Sequence, residues 1–547
     1  MKKVLLAFSI TWSLALTGVA FAQAPAAAPA AAAATIDAGT VVTGVSTPKP
    51  EEKAAGDPAG TLTGTAADIP LGDAKKGLTV GDIASMLGQN LIATNFVWTL
   101  VTGFLVMFMQ AGFAIVETGL ARAKNANHTM MMNFMVYGAG MLAYWLIGFA
   151  IQEGGVGAVA NLGGTAPLSS EYAITLFGKS WGLFGQKGVM LGGATYDVGV
   201  LVMFLFQMVF MDTALTIVTG TAAERWKYST FLVSSILMGA FTYPLFANWA
   251  WGGGWLQNLG GNYGLGNGYV DFAGSGVVHS VGGVTALALG IMMGPRIGKY
   301  TRNGKPNAIP GHDITMVLLG CFILAFGWFG FNPGSTLGAA ANGNLRISSV
   351  AVNTMLAGMA ASFSGMLYMW MRYGKPDASM TGNAFLAGLV AITAPSGFVS
   401  PMASVVIGLI AGVLVCLSCE FVERVLKVDD VVGAVSVHGT NGIWGVISVG
   451  LFADGKSNYG GAWNGVAHSV TGLFYGGGAG QLIAQLIGVA TLIGFVFTMS
   501  FVINMILEAV MGQRVSAKAE LEGLDIPEMG ALGYPEFVLK PEAAIET

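Results

Sequence analysis

The chain has 547 residues, 54% of them apolar and only 10% charged, against roughly a quarter charged in an ordinary soluble domain. That balance excludes a soluble globular fold and describes a polytopic membrane protein, whose 81 glycines suit helices packed closely through small residues. A net charge of −4 argues against nucleic acid and anionic surfaces as partners.

The first residues, MKKVLLAFSITWSLALTGVAFAQ, place two lysines before an apolar run and Ala20-Phe21-Ala22 before Gln23, which predicts a signal peptide over residues 1–22. Residues 23–88 are rich in Ala, Pro, Thr and Gly and cannot bury a core, so they read as a disordered extracytoplasmic linker. The membrane domain is expected over 89–511. A crossing helix needs about 20 mostly apolar residues. Eleven segments qualify: 96–121, 129–151, 197–221, 229–252, 272–294, 313–333, 347–371, 380–395, 400–422, 432–452 and 481–509, the eighth being the shortest. With the N-terminus outside, the loops assigned to the cytoplasm hold twelve Lys and Arg between Arg122 and Lys427, and the opposite loops hold four: Lys179, Lys187, Arg346 and Lys456. This asymmetry obeys the positive-inside rule and agrees with the signal peptide. It puts the tail, 512–547, in the cytoplasm. The expected fold class is an all-α polytopic membrane protein.

Cys321, Cys416 and Cys419 all lie in apolar segments. Cys416 and Cys419 spell C-x-x-C mid-helix without a second pair, so they read as packing residues; no disulfide framework, metal site or cofactor is indicated. His128, His312 and His468 fall in loops or at span ends, where solvated roles are expected. Glu117, in VETGLARAKN, is expected at the cytoplasmic end of its span beside a basic partner.

A repeat stands out in the fifth and tenth spans. Asp271 precedes His279 by eight residues in DFAGSGVVH, Asp430 precedes His438 by eight in DVVGAVSVH, and a glycine follows each histidine four residues on, Gly283 and Gly442. Five spans separate the copies, and an odd number reverses their orientation, which predicts an inverted five-helix repeat about an axis in the membrane plane. Each aspartate is placed to cap its helix, and each histidine lies about two turns in. A lone histidine in an apolar helix reads as packing, but two at matched positions read as a pathway, because ionisable groups inside a membrane are costly. Trp251 in NWAWGGGW, Phe210 in FQMVFMD, and Phe331 and Ser335 in FGWFGFNPGS supply ring faces and a hydroxyl that attract a small cation; the competing reading makes them interfacial or core residues.

These segments, with GTAAER and the tail QRVSAKAELEGLDIPEMG, together resemble the ammonium transporter (Amt/Rh) family over about residues 90 to 530. The resemblance implies a homotrimer of eleven-helix subunits in the inner (cytoplasmic) membrane, each with its own pore for ammonium or ammonia. It assigns His279 and His438 to the family's twin pore histidines, and Phe210, Trp251 and Ser335 to the site that recruits ammonium. Phe210 and Phe331 match the stacked gate below that site, Asp271 a structural aspartate near the vestibule, and Gln207 a pore-adjacent glutamine. The tail resembles the segment that packs under the trimer and meets PII-type signalling proteins. The expected function is transport, not catalysis: ammonium is recruited and deprotonated, and ammonia crosses with a histidine proton relay. Potassium has no proton to give up, so an apolar pore tells the two cations apart.

Two positions depart from the family pattern. Asp212 follows the gate where small apolar residues are usual, and Pro333 replaces a small residue beside it, where it is expected to bend the helix. Two other functions fit parts of the sequence. A non-conducting ammonium sensor shares the fold, although no kinase or cyclase segment follows the last helix. A redox protein would use the histidines as haem ligands.

Overall fold

The computed structural model describes residues 79–537 except 157–161, 163–167, 169, 196, 341–345 and 457–462. The predicted signal peptide and the linker up to residue 78 lie outside the described residues. All eleven apolar segments are helical: α1 Val80–Leu120, α2 Ala123–Glu153, α3 Val198–Ala222, α4 Tyr228–Trp251, α5 Ser275–Met293, α6 Ile314–Thr336, α7 Ile347–Tyr373, α8 Ala378–Thr393, α9 Pro401–Leu426, α10 over 435–452 and α11 Gly480–Met511. Among the described residues, nine of these are long and apolar enough to cross a membrane; α8 is shorter, and α10 also falls outside that set. The chain is therefore a multi-pass membrane protein.

Helix α1 starts at Val80, ahead of the linker boundary at 88, so residues 80–88 are corrected from linker to helix. Its first turns carry Ile83, Leu87 and Leu91 at helical spacing, exposed, among too many polar residues to register as a span. A second difference is an antiparallel hairpin, β1 Glu171–Leu176 and β2 Lys179–Gly185, in a chain expected to be all-α. It sits beside the end of α4, where Trp181 stacks on Trp255 at 4.7 Å.

Several helices start on a capping side chain. Asp197, Asp313, Asp377 and Ser400 each accept from an amide of the first turn that would otherwise have no partner. Close packing then joins the helices through small residues: a Cβ at Gly408 of α9 would lie 2.2 Å from the Ala357 carbonyl of α7.

α5 and α10 begin inside the protein and are built alike. Asp271 receives the amides of Gly274 and Ser275 on Oδ1 and those of Gly276 and Val277 on Oδ2, all at 2.8–2.9 Å. Asp430 receives Ala434 and Val435 and also the Thr221 hydroxyl. Three residues after each aspartate a glycine adopts positive φ, Gly274 at 110° and Gly433 at 84°, a turn that side-chain-bearing residues resist. A π-turn follows in both, Ser275–Ser280 and Val435–Thr440, and each carries one histidine. The two helices touch through backbone: a Cβ on Gly283 would stand 2.2 Å from the Gly439 nitrogen.

At the far end of the bundle from Trp251, buried charges tie helix ends together. Glu224 pairs with Arg122 and with Arg296, whose Nη1 lies 3.2 Å away in an ion-pair contact without hydrogen-bond alignment. Arg296 also donates to both oxygens of Asp429, at 2.8 and 3.0 Å. Burial pushes the Asp429 carboxyl up, but the Arg296 and Arg225 guanidiniums outweigh it and hold it at about 2. The tail closes this end. Gln513 accepts from the Trp226 indole at 2.8 Å, Arg514 pairs with Glu520, Glu520 accepts from the Ile297 amide, and Asp525 accepts from the His128 amide. His312, half-buried, bonds the Ala121 carbonyl and the Tyr534 hydroxyl.

Two predictions follow from these contacts. Gly283→Ala forces the α5 and α10 backbones apart and lowers stability by about 1–3 kcal/mol, measured by thermal unfolding in detergent. Asp429→Asn leaves the Arg296 cation underpaired and destabilises by about 3–5 kcal/mol. Because the Asp429 carboxyl is depressed in the folded state, its contribution is whole above the unfolded value of about 4 and is lost as pH falls toward about 2. The stability gap between wild type and variant is therefore constant at neutral pH and closes in acid.

Candidate functional site

The residues singled out in α3, α4, α5, α6 and α10 converge on one column of rings. At one end, the outer end on the orientation expected from the charge pattern, Trp251 meets Phe210 edge to face at 6.3 Å, and the Trp251 indole donates to the Asp271 carbonyl at 2.7 Å. Phe210 stacks on Phe331 with centroids 4.1 Å apart and planes 22° from parallel. Phe331 lies 5.3 Å from the His279 ring, which lies 5.3 Å from His438, and Phe113 follows at 5.9 Å. Trp328 covers His279 from the side at 5.2 Å.

The two histidines meet through Nδ1 atoms 3.2 Å apart, so one ring donates where the other accepts. His279 is fully buried, and its Nε2 has no hydrogen-bond partner. An orphaned ring nitrogen in an apolar site is expensive to leave unmet, so the site suits a small hydrogen-bonding guest.

Outside the Phe210–Phe331 stack lies a cavity of about 160 Å³ lined by Phe210, Trp251, Ser335, Gln207 and Glu153, among others. Ser335 spends its proton on the Phe331 carbonyl at 2.7 Å, which leaves its oxygen as an acceptor. Gln207 accepts from Gln152, which also donates to Glu153 Oε1 at 2.9 Å. Beyond the histidines is a water-sized cavity of about 20 Å³ lined by His438, Phe113 and Glu117, and past that one of about 830 Å³ lined by Asp430, Lys299 and Arg296. The smaller and the larger share Asn383 and Val432 as walls.

Several expectations need correcting. Glu117 has no basic neighbour as partner; its Oε2 accepts from Asn133 and Thr219, both at 2.8 Å. The cause is helical phase, which turns this position into the bundle and away from Arg122. His128 is buried with neither ring nitrogen bonded, not solvated, because the tail covers it through Asp525. His468 is exposed, as expected. Asp212 is buried with Oδ1 unpartnered, two residues from Phe210 and so turned away from the ring column. Pro333 opens a short 3₁₀ turn that ends α6, so it terminates the helix beside the stack. Cys416 and Cys419 are free thiols.

Sequence reasoning did not single out Glu153, Phe272, Trp463 or Asn464 at the outer cavity. Phe272, next to Asp271, was within reach; Trp463 and Asn464 come from a distant loop, and no local pattern marks them. Arg346 lies 4.9 Å from the centroid of Phe272.

The model of the Ammonium Transporter Family matches residues 97–534. Ammonium transporter Amt2 of Archaeoglobus fulgidus is 46% identical over 454 residues, 82% of this chain and 89% of that protein. Ammonium transporter 1 member 3 of Solanum lycopersicum is 34% identical over 80% of this chain and 93% of its own length. Among solved structures, a sensor Amt protein matches with a TM-score of 0.67 at 34% identity, over 81% of this chain and 99% of that one. Candida albicans Mep2 matches with a TM-score of 0.64 at 26% identity, over 81% and 92%. A family match across the whole ring column, with relatives this similar over most of their length, leaves one conclusion: the chain belongs to the ammonium transporter family.

Proposed function

We propose that the protein carries ammonium across the cytoplasmic membrane by recruiting the cation, removing a proton and passing ammonia along the histidine pair. The observation that carries this reading is the Nδ1–Nδ1 contact of 3.2 Å between His279 and His438, buried directly beneath the Phe210–Phe331 stack. An intact ammonium ion in that column would lose its water without gaining a counter-charge, whereas ammonia needs only one acceptor and one donor. Trp251, Phe210 and Ser335 form the recruitment site, Phe210 and Phe331 the gate, and His279 and His438 the relay. Asp271 holds the start of α5 and the Trp251 indole, and Gln207 fixes the polar wall behind Phe210.

On this reading all eleven helices cross the membrane, with the N-terminus outside, the tail inside and α5 and α10 related by an inverted repeat. The matched Asp-x-x-Gly starts, π-turns and histidines support that relation. Three chains assemble as a homotrimer, each with its own pore, and residues 1–22 are removed as a signal peptide. The tail, tied to the start of α2 and to the ends of α3 and α5, is a regulatory segment placed to meet a PII-type signal protein of nitrogen metabolism. A second reading is favoured by one observation, the solved sensor Amt protein of 34% identity: a non-conducting ammonium sensor.

Current recording on proteoliposomes under an ammonium jump, with potassium as control, separates the two. Wild-type protein is expected to carry ammonium current and no potassium current; a silent wild type that still binds ammonium favours the sensor. His279→Ala and His438→Ala are expected to keep the native assembly size and lose at least about tenfold in current, the scale of a missing proton-transfer group. Glutamate at either position is expected to admit potassium, because it keeps a charge in the column. Current equal to wild type in both alanine variants means the pair is structural. For the tail, full-length protein is expected to retain a PII-type protein from solution and a chain ending at Gly512 to lose it; equal retention removes the docking role.

A further inference from the structure

Glu117 is a buried carboxylate of α1, and the steps proposed above leave it without a task. It is 2% exposed and lies past His438 on the route from Trp251, where a charge must either be paired or be useful. Among the described residues no cation pairs with it. Oε2 is anchored by the Asn133 amide of α2 and the Thr219 hydroxyl of α3. Asn133 is itself fixed by the Thr216 hydroxyl at 2.7 Å, and Gln110 donates to Thr216, so the anchor is a connected network rather than one bond. Among the described residues the donors to this carboxylate all go to Oε2, which leaves Oε1 unclaimed.

The cavity of about 20 Å³ that Glu117 lines is also lined by His438. That volume takes one water molecule. The next cavity shares Asn383 and Val432 with it as walls, and Asp430 is in its lining. Glu117 thus stands between the inner histidine and the large opening, with one oxygen held and one unclaimed. That is how a proton-exchanging carboxylate is presented.

We propose that Glu117 is the proton carrier below the histidine pair, taking a proton from His438 through one water in the shared cavity and returning it to ammonia before release. This rests on the conduction reading given above. The steps balance without any added reactant. At the gate an N–H bond of ammonium breaks and its proton passes to the imidazole pair. His438 yields a proton through the water, and an O–H bond forms on Glu117. Ammonia replaces the water in the small cavity and takes that proton: the O–H bond breaks, an N–H bond forms, and ammonium leaves past Asn383. Carboxylate and imidazoles return to their starting states, and each cycle moves one ammonium and one positive charge.

Glu117→Gln tests this, because the amide keeps an oxygen for Asn133 and Thr219 and loses the exchangeable proton. In proteoliposomes the ammonium-jump current is expected to fall by about tenfold or more. Lumenal alkalinisation by ammonia, corrected for protein-free vesicles, is expected to persist, which a collapsed route would not allow. Glu117→Asp restores part of the current. Wild-type current in Glu117→Gln overturns the relay alone; loss of both current and alkalinisation in a folded variant also overturns it, leaving a structural role; a wild type without current overturns the conduction reading and the relay with it. Should Glu117→Gln not fold, infrared difference spectra of wild type on an ammonium jump decide: a carboxylic-acid stretch that moves in Glu117→Asp supports the relay, and its absence overturns it.

Discussion

The helices that carry His279 and His438 start within the bundle, and at each start a carboxylate takes up the first amides. Asp271 satisfies four amides and Asp430 two. Without such an acceptor each orphan amide would cost free energy on the scale of a lost hydrogen bond. Once the starts are fixed, the rest is geometry. Eight residues bring each ring about two turns inward, and the backbone contact of Gly283 with Gly439 sets the separation at which the Nδ1 atoms bond. The Asp271 backbone also receives the Trp251 indole, so the same residue that starts α5 positions the outer mouth.

Around that frame the polar and apolar parts of the molecule are sharply divided. The column from Trp251 to Phe113 is built of rings with two imidazoles between them, an environment that tolerates dipoles and rejects unpaired ions. Full charges are kept to its ends. Glu153 borders the outer cavity with one oxygen bonded to Gln152, and the Arg122–Glu224–Arg296–Asp429 cluster locks the inner end, where burial is compensated by multiple partners. The tail adds to the same cluster region through Arg514 and Glu520, so anything that displaces it acts on the start of α2 and the ends of α3 and α5 together. That coupling is physical contact.

Much of this was legible before any coordinates. Hydropathy located the eleven long helices because a membrane demands long apolar stretches, and the Asp…His spacing, repeated at eight residues, marked the two positions that meet. Hydropathy failed where its premise fails: residues 80–95 are helical but half polar, and the hairpin at 171–185 lies outside the apolar segments. Glu117 and His128 were misplaced for another reason. A charge near a span end looks solvated or salt-bridged in one dimension, and only the phase of the helix decides whether it points to a basic loop or into the bundle.

The sequence by itself determined the class, the helical segments and the identity of the paired histidines, because composition, span length and repeated spacing are local properties, and its motifs carried the resemblance to the family. Only the tertiary structure decided what depends on residues hundreds of positions apart. It closed Phe210 on Phe331, set His279 against His438 at bonding distance, brought Trp463 and Asn464 to the outer cavity and placed Glu117 in a cavity with His438. The reason is that a glycine contact or a shared cavity is a relation between helices, and helix phase and crossing distance are set by packing, which no single segment encodes.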